Sequence, residues 1–187
     1  MPPTPLRILG FAGSLRKGSF NRAALRAAQQ LVPDGAVLET FDLDEIPPYN
    51  QDHEQPPPEA VRRMKEAIQA AQALLFVTPE YNYSVSGVLK NAIDWASRPY
   101  GQSAWNGKPC AIMGASVGML GTARAQYHLR QMCVFLNMFP LNQPEVMIPF
   151  AADKFDAGGN LTDAKTNEKI RELLQALVAW TRRLTPT

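Results

Sequence analysis

The sequence lacks features that would place it in several large classes of protein. It has only 2 cysteines in 187 residues, at positions 110 and 133, both in apolar surroundings. Their number and spacing fit neither a disulfide framework nor a metal site, so we predict two buried, inert thiols and no bound metal. No apolar run approaches the ~20 residues of a membrane-spanning helix. The start, Met1 to Pro5, is rich in proline rather than apolar, which indicates no secretory signal and predicts a cytoplasmic protein.

Strong charge of either sign is also missing. The formal net charge is +2, too small to favour a nucleic acid or an acidic membrane surface as partner. The hydrophobic content of 45% is that of an ordinary globular chain. At 187 residues the chain is long enough to bury a core without disulfides, and we predict a single domain over residues 1–187.

Two common nucleotide-binding signatures are absent. Gly13 and Gly18 have the spacing of a Walker A motif, but Ser19 and Phe20 stand where that motif needs Lys and Ser or Thr. A nucleoside triphosphate with Mg²⁺ is therefore disfavoured. The spacing Gly-x-Gly-x-x-Gly is missing as well, so the loop lacks the glycines that let a backbone approach a dinucleotide pyrophosphate.

What is present is a strand, a polar loop and a helix in direct succession. Residues 7–12 form a short apolar run typical of a buried parallel strand, and residues 13–18 are rich in glycine, hydroxyl and cationic side chains. Ser19 or its neighbour is predicted to cap the helix that follows. Backbone N–H groups and the helix N-terminus would then converge on one anion. The stretch is either an ordinary turn or a site for a single phosphate monoester, with donors from Ser14, Arg16, Ser19 and Asn21.

Apolar runs and helical periodicity alternate along the whole chain. Further strands are predicted at 37–41, 73–78, 109–115 and about 145–148, and further helices at about 59–71, 86–97, 122–137 and 162–184. This predicts an α/β fold, a doubly wound five-stranded parallel sheet with helices on both faces. The unusual loops after the first, third and fourth strands all fall at the carboxyl edge of the sheet, where ligands bind. The proline-rich segment 44–58 is predicted to be a long surface loop of open role.

These three loops resemble those of the NAD(P)H-dependent FMN reductases of flavodoxin-like fold. Gly-Ser-Leu-Arg-x-Gly-Ser-x-Asn at 13–21 is similar to that family's phosphate loop, and Pro-Glu-Tyr-Asn at 79–82 to its flavin-ring loop. Ser-x-Gly-x-x-Gly at 116–121 is similar to its third flavin contact. The likeness covers nearly the whole chain and is nearest to bacterial quinone, chromate and azo-compound reductases. It implies the strand order 2-1-3-4-5.

The resemblance also implies a cofactor, substrates and a site. FMN is expected to bind non-covalently, with NADPH or NADH as co-substrate and a small electron acceptor such as a quinone, or an azo, nitro or chromate compound. The expected kinetics are ping-pong, with no catalytic side chain, because the flavin carries the chemistry. The implied cofactor-binding residues are Ser14, Arg16, Ser19, Phe20, Asn21, Pro79, Glu80, Tyr81, Asn82, Ser116 and Gly118.

Some of these assignments have a second interpretation. Glu80 either contacts the flavin or only caps a helix or forms a salt bridge, and Arg16 grips either the FMN phosphate or the nicotinamide cofactor. Tyr81 can instead be a surface aromatic. The chain as a whole could be a flavodoxin-type one-electron carrier without NAD(P)H activity, although it lacks the acidic surface that guides such carriers. A phosphate-binding regulator without FMN would leave two of the three loops unexplained. The preference for NADH or NADPH and the physiological acceptor stay open.

One helix has no polar stripe. Residues 132–136, Met-Cys-Val-Phe-Leu, are apolar all round, whereas an exterior helix shows one polar face. A second buried face predicts either a subunit interface or an unusually deep position of this helix, and the resemblance favours the interface. The resemblance favours a homodimer or homotetramer with helices 86–97 and 121–137 at the contacts. It also implies a polar network across subunits from Arg124, Tyr127 and Glu145.

Overall fold

The computed structural model describes residues 4–184. The two ends of the domain predicted over 1–187, and the first three residues of the proline-rich start, therefore lie outside the described residues. Within 4–184, no helix combines the length and the apolar character needed to cross a bilayer. The same residues contain no cluster of three or more His, Cys, Asp or Glu side chains that could hold a metal ion.

The sheet is parallel and its strand order confirms the prediction. The strands are β1 (Leu6–Ala12), β2 (Ala36–Phe41), β3 (Ala73–Val77), β4 (Pro109–Ala115), β5 (Phe139–Pro140) and β6 (Val146–Ile148). Their order is β2-β1-β3-β4-β5, and β6 also pairs with β4. The register of β1 on β3 brings Ala12 beside Val77, so both strands end at the same edge.

The fifth strand differs from the prediction, because it is split in two. β5 pairs with the start of β4 and β6 with its end, so the predicted strand at 145–148 is only the second half. Pro140 is the last residue of β5, and Pro144 lies between β5 and β6. Proline has no N–H group to donate, so neither residue can continue a ladder of hydrogen bonds.

Five helices flank the sheet: α1 (Phe20–Leu31), α2 (Glu59–Ala70), α3 (Gly87–Ala96), α4 (Ala123–Phe135) and α5 (Ala164–Leu184). The predicted caps are present. The Ser19 hydroxyl accepts a hydrogen bond from the Asn21 N–H at 3.2 Å, and the Ser86 hydroxyl accepts one from the Leu89 N–H at 3.2 Å. Each satisfies a donor that the first turn of its helix would leave free.

The core has two layers, one on each face of the sheet. One cluster packs the sheet against α2, α3 and α4, and the other packs it against α1 and α5. Cys110 and Cys133 are fully buried in the first cluster and form no disulfide, as predicted. A hydrogen bond with Cys133 and burial both raise the pKa of the Cys110 thiol, which keeps it in the unreactive thiol form.

The 44–58 segment is a fixed loop rather than a loose one. The Asn91 amide and the Trp95 indole both donate to the Pro47 carbonyl, at 2.8 and 2.7 Å. The Tyr49 N–H donates to Asn91 at 2.7 Å, and the Tyr49 hydroxyl donates to the carboxylate of Glu54. This hydrogen bond raises the pKa of Tyr49. The loop is therefore fastened to α3 at Pro47 and Tyr49.

Candidate functional site

The three loops singled out in the sequence meet in one cleft at the carboxyl edge of the sheet, here called the cofactor cleft. Its lining includes nine of the eleven predicted site residues. The two others, Asn82 and Gly118, each directly follow a lining residue. Ala115 and Val117 also line the cleft and were not predicted, because small and apolar residues carry no chemical signal in a sequence. The lining residues are Ser14, Arg16, Ser19, Phe20, Asn21, Pro79, Glu80, Tyr81, Ala115, Ser116 and Val117.

The first loop is held rigidly against the third strand and the third helix. The Gly13 N–H donates to the Val77 carbonyl at 2.9 Å, and the Ser86 hydroxyl donates to the Gly13 carbonyl at 2.6 Å. A Cβ atom at position 13 would lie only 3.1 Å from the Pro79 ring and from the Ser86 hydroxyl. A side chain here would require Pro79 or Ser86 to shift by a few tenths of an ångström, so the first two loops of the cleft pack closely at this glycine.

Ser14 carries the clearest signal for a ligand. It is only 7% exposed, and it lines the cofactor cleft. Its hydroxyl makes no hydrogen bond with the described residues, so it is free to bond water or a ligand in the cleft. Ser19, beside it, accepts bonds from the N–H groups of α1, which leaves its own O–H free to donate. Two hydroxyl donors in the loop that leads into α1 suit a phosphate group.

Asn21 makes two hydrogen bonds within the protein, and its predicted contact with the cofactor stays a prediction. Its amide Nδ2 donates to the Ala115 carbonyl at 2.9 Å, and its Oδ1 accepts from the Ala115 N–H at 2.9 Å. The side chain thereby joins the start of α1 to the end of β4. Asn21 lines the cleft, but the structure uses its amide to set the distance between two walls of the site.

Glu80 is also occupied within the protein. Its carboxylate accepts from the N–H groups of Arg124 and Ala125 at 3.0 and 3.2 Å, and from the Arg124 Nε at 2.5 Å. Thr122, the residue before α4, gives the helix no side-chain cap. The carboxylate therefore caps the N-terminus of α4 from the neighbouring loop and forms a salt bridge. A direct contact of Glu80 with the flavin stays a prediction.

The turn that follows Glu80 is tight and is held by α4. Tyr81 and Ser84 exchange two backbone hydrogen bonds at 3.0 and 2.9 Å. Asn82 and Tyr83 between them have φ values of 49° and 66°, in the left-handed region that few side chains adopt. The Arg124 guanidinium lies 3.5 Å from the centroid of the Tyr83 ring, a contact that favours this backbone.

A second bond ties the same turn to α4, since Nδ1 of His128 lies 3.1 Å from the Ser84 hydroxyl. Arg124 and His128 are four residues apart and therefore share one face of the helix. The flavin-ring loop predicted at 79–82 is thus supported from a helix more than 40 residues away in sequence.

The third loop presents backbone rather than side chains. The Ser116 N–H donates to the Ile148 carbonyl at 3.0 Å, and the Ser116 hydroxyl donates to the Gly118 carbonyl at 3.2 Å. A Cβ atom at Gly118 would have nothing nearer than 4.0 Å, so the backbone there is open on one side. At Gly121, with φ +54°, a Cβ would lie 2.7 Å from the Ile148 backbone, so only glycine fits.

The cleft fits FMN in the chemistry of its donors. The lining includes the hydroxyl groups of Ser14 and Ser19, together with Pro79, Tyr81 and Ser116. A phosphate monoester matches the hydroxyl donors, while a flat ring with polar edges matches a wall made of backbone and proline.

Comparison with known proteins identifies the relatives of the chain. Residues 6–153 match the profile of the family described as NADPH-dependent FMN reductase. An NAD(P)H-dependent FMN reductase of Pseudomonas aeruginosa is 59% identical over 180 residues, covering 96% of this chain and 97% of that one. A 2-hydroxy-1,4-benzoquinone reductase of a Burkholderia species is 45% identical over 177 residues, covering 95% and 97%.

Two solved structures are similar to this chain in fold. The flavoenzyme NAD(P)H:(acceptor) oxidoreductase FerB of Paracoccus denitrificans superimposes with a TM-score of 0.86 at 38% identity, covering 95% of this chain and 98% of that one. A flavodoxin, WrbA-like protein of Agrobacterium tumefaciens has a TM-score of 0.61 at 13% identity, covering 97% and 99%, and shows the shared flavodoxin-like fold.

Proposed function

The chain belongs to the family of NADPH-dependent FMN reductases, and we propose that it uses FMN and NAD(P)H to reduce quinones in the cofactor cleft. Its relatives include a benzoquinone reductase and two quinone reductases of Pseudomonas putida. When bound, FMN supplies the two-electron chemistry, and the protein supplies position, electrostatics and exclusion of side reactions. Azo, nitro and chromate compounds are further acceptors that an open cleft would admit.

The Ser14 hydroxyl is the observation that carries this proposal. Ser14 and Ser19 would hold the FMN phosphate, together with backbone N–H groups of the first loop. The backbone of residues 79–82 and of Gly118 would meet the polar edges of the flavin ring. Both backbone segments are already fixed by contacts with other parts of the chain, so binding costs little ordering of the protein.

The open side of the cleft supports a shared pocket for both substrates. Tyr81 and Tyr83 are exposed, but the face of Tyr83 is taken by Arg124. Tyr81 is then the one tyrosine of the turn that could cover the ring, which leaves room for a nicotinamide or a quinone to stack. Because one pocket serves both, we propose ping-pong kinetics, with one product leaving before the second substrate enters.

Flavin binding and turnover test the proposal. After incubation with FMN and gel filtration, the protein should carry about one flavin per chain. Ser14→Ala should raise the FMN dissociation constant about tenfold or more, because a hydrogen bond to a charged group is worth roughly 1.5–3 kcal/mol. Ser103→Ala, which changes a serine outside the cleft, is the matched control.

Initial rates with NAD(P)H and a quinone should give parallel double-reciprocal lines. Bound FMN with negligible NAD(P)H oxidation would support the one-electron carrier instead. Absence of bound FMN would remove the basis of both readings.

We also propose a homodimer or homotetramer, located in the cytoplasm where NADH and NADPH are supplied. Val134 and Phe135 on α4 are 81% and 73% exposed, more than is usual for large apolar side chains. The Arg124, Tyr127 and Glu145 network expected between subunits finds partners within one chain, since Arg124 pairs with Glu80 and Tyr127 with Glu145. Light scattering should give at least twice the chain mass of 20.7 kDa, and Phe135→Asp should reduce it.

A further inference from the structure

A second cleft adjoins the cofactor cleft. We call it the cation cleft, and the two clefts share Ser19 and Phe20. The centroid of the Phe20 ring lies 5.5 Å from that of the Phe155 ring, so the shared wall packs against a second aromatic side chain. The cation cleft is lined by Lys17, Gly18, Ser19, Phe20, Ala23, Arg26, Asp156, Ala157, Gly158 and Gly159.

Two cations of this cleft have no acidic partner. Lys17 and Arg26 are exposed and form no ion pair within residues 4–184, whereas Arg22, between them in sequence, pairs with Asp42. The single side-chain hydrogen bond of Arg26 within residues 4–184 is a long one, of 3.4 Å, to the Gly159 carbonyl. Because neither charge is neutralised by a carboxylate contact, both are available to an anion in the cleft.

The one carboxylate in the lining is used by its own loop. Asp156 accepts from the Asn160 N–H at 2.8 Å and from the Asn160 amide at 3.0 and 3.2 Å. The Asn160 side chain and the nearby backbone N–H groups lower the pKa of Asp156. The loop from 156 to 160 thus closes on itself, and Asp156 makes no ion pair with Lys17 or Arg26. Asp156 stays ionised, so the two cations exceed the one carboxylate in this lining.

We propose that the cation cleft binds a phosphate group of the nicotinamide dinucleotide. The inference rests on the proposed function, since it concerns the electron donor of the same site. The FMN phosphate is accounted for by the hydroxyl and backbone donors around Ser14, so Lys17 and Arg26 are cations in excess of that need. The next polyanion that the reaction brings to this edge is NADPH or NADH. A dinucleotide is long enough to place its nicotinamide in one cleft and its adenosine phosphates in the adjoining one.

Binding of adenosine 2′,5′-bisphosphate tests the site without turnover. Calorimetry with the FMN-loaded protein should show binding that weakens about tenfold or more in the Lys17→Ala, Arg26→Ala double variant, because charge-assisted hydrogen bonds are lost. Arg26→Lys should retain much of the affinity, since it keeps the cation. Arg62→Ala removes an exposed cation on α2, on the other face of the sheet, and should bind like the parent.

Steady-state kinetics identify which phosphate is held. A rise in KM for NADPH alone assigns the 2′-phosphate to the cleft, and an equal rise for NADH assigns the pyrophosphate; both outcomes support the site. In either case kcat and the KM for the quinone should not change.

Unchanged bisphosphate binding and unchanged KM for both dinucleotides would overturn the proposal. It would equally be overturned if the double variant lost FMN affinity instead, because the cations would then belong to the flavin phosphate. Bisphosphate binding is measurable whether or not the protein reduces quinones, so failure here is distinct from failure of the proposed function.

Discussion

Replacing Glu80 should damage the site through α4 rather than through direct contact with a ligand. The carboxylate is 8% exposed and accepts from two N–H groups of the first turn of α4 and from the Arg124 side chain. Glu80→Ala removes all of these bonds at once. The turn 81–84 then loses the anchor of Arg124, the residue that also covers the Tyr83 ring.

The size of the effect follows from the contacts. Loss of a helix cap costs about 1–2 kcal/mol, and loss of an ion pair with a partly exposed arginine adds up to about 1 kcal/mol. We expect Glu80→Ala to lower the free energy of unfolding by about 1–3 kcal/mol, which is roughly 2–12 °C in Tm for a chain of this length. Glu80→Gln keeps one acceptor oxygen for the helix and loses only the charge, so about 1 kcal/mol is expected.

Denaturant unfolding of the FMN-free protein measures this directly, and flavin fluorescence gives the FMN affinity of the same variants. Glu66→Gln is the matched control, because Glu66 makes an exposed ion pair with Arg62, and its loss should cost less than about 0.5 kcal/mol. In a double-mutant cycle, Glu80→Ala and Arg124→Ala should be clearly less than additive. The reasoning fails if Glu80→Ala is as stable as the control. Lost FMN affinity with unchanged stability would show that Glu80 acts on the flavin itself.

Three further changes test other parts of the structure. Asn21→Ala removes both bonds to the end of β4 and should cost about 2–4 kcal/mol in denaturant unfolding, because buried backbone groups lose their partners. Hydrogen bonds from Thr166 lower the pKa of Asp163. The ionised carboxylate therefore stabilises the fold above its unfolded-state pKa, and this stabilisation is lost as the pH falls through its lower folded-state pKa. The Tm difference between the parent and Asp163→Ala should accordingly vanish in strong acid. Cys110 and Cys133 should react with a thiol reagent only after unfolding, and fast reaction of the native protein would contradict their burial.

The fold was predictable because its signals are local. A run such as 73–77, apolar on both faces, has few alternatives to a central parallel strand, and the caps Ser19 and Ser86 mark helix starts within a few residues. Only half of the fifth strand was predicted, because the other half carries no local signal. Its first half, Phe139–Pro140, is too short to show any period, and it is a strand only because β4 offers it hydrogen-bonding groups.

The candidate site was predictable at the level of loops but less so at the level of side chains. The carboxyl edge brings the loops together by topology, which the order of elements already determines. What each polar side chain contacts depends on residues far away in sequence. Asn21 finds Ala115, 94 positions on, and Glu80 finds Arg124, 44 positions on. No spacing rule connects such pairs, so the sequence could only leave the role of Glu80 open.

These two pairs explain why the cleft needs few side chains of its own. Asn21 fixes the first loop to the third, and Glu80 fixes the second loop to the helix that follows the third. The three loops are therefore positioned relative to one another before any ligand arrives. Ser14, which has no partner among the described residues, stands out against this background. Together with the Ser19 O–H, which is also free to donate, this hydroxyl marks the place where a phosphate would bind.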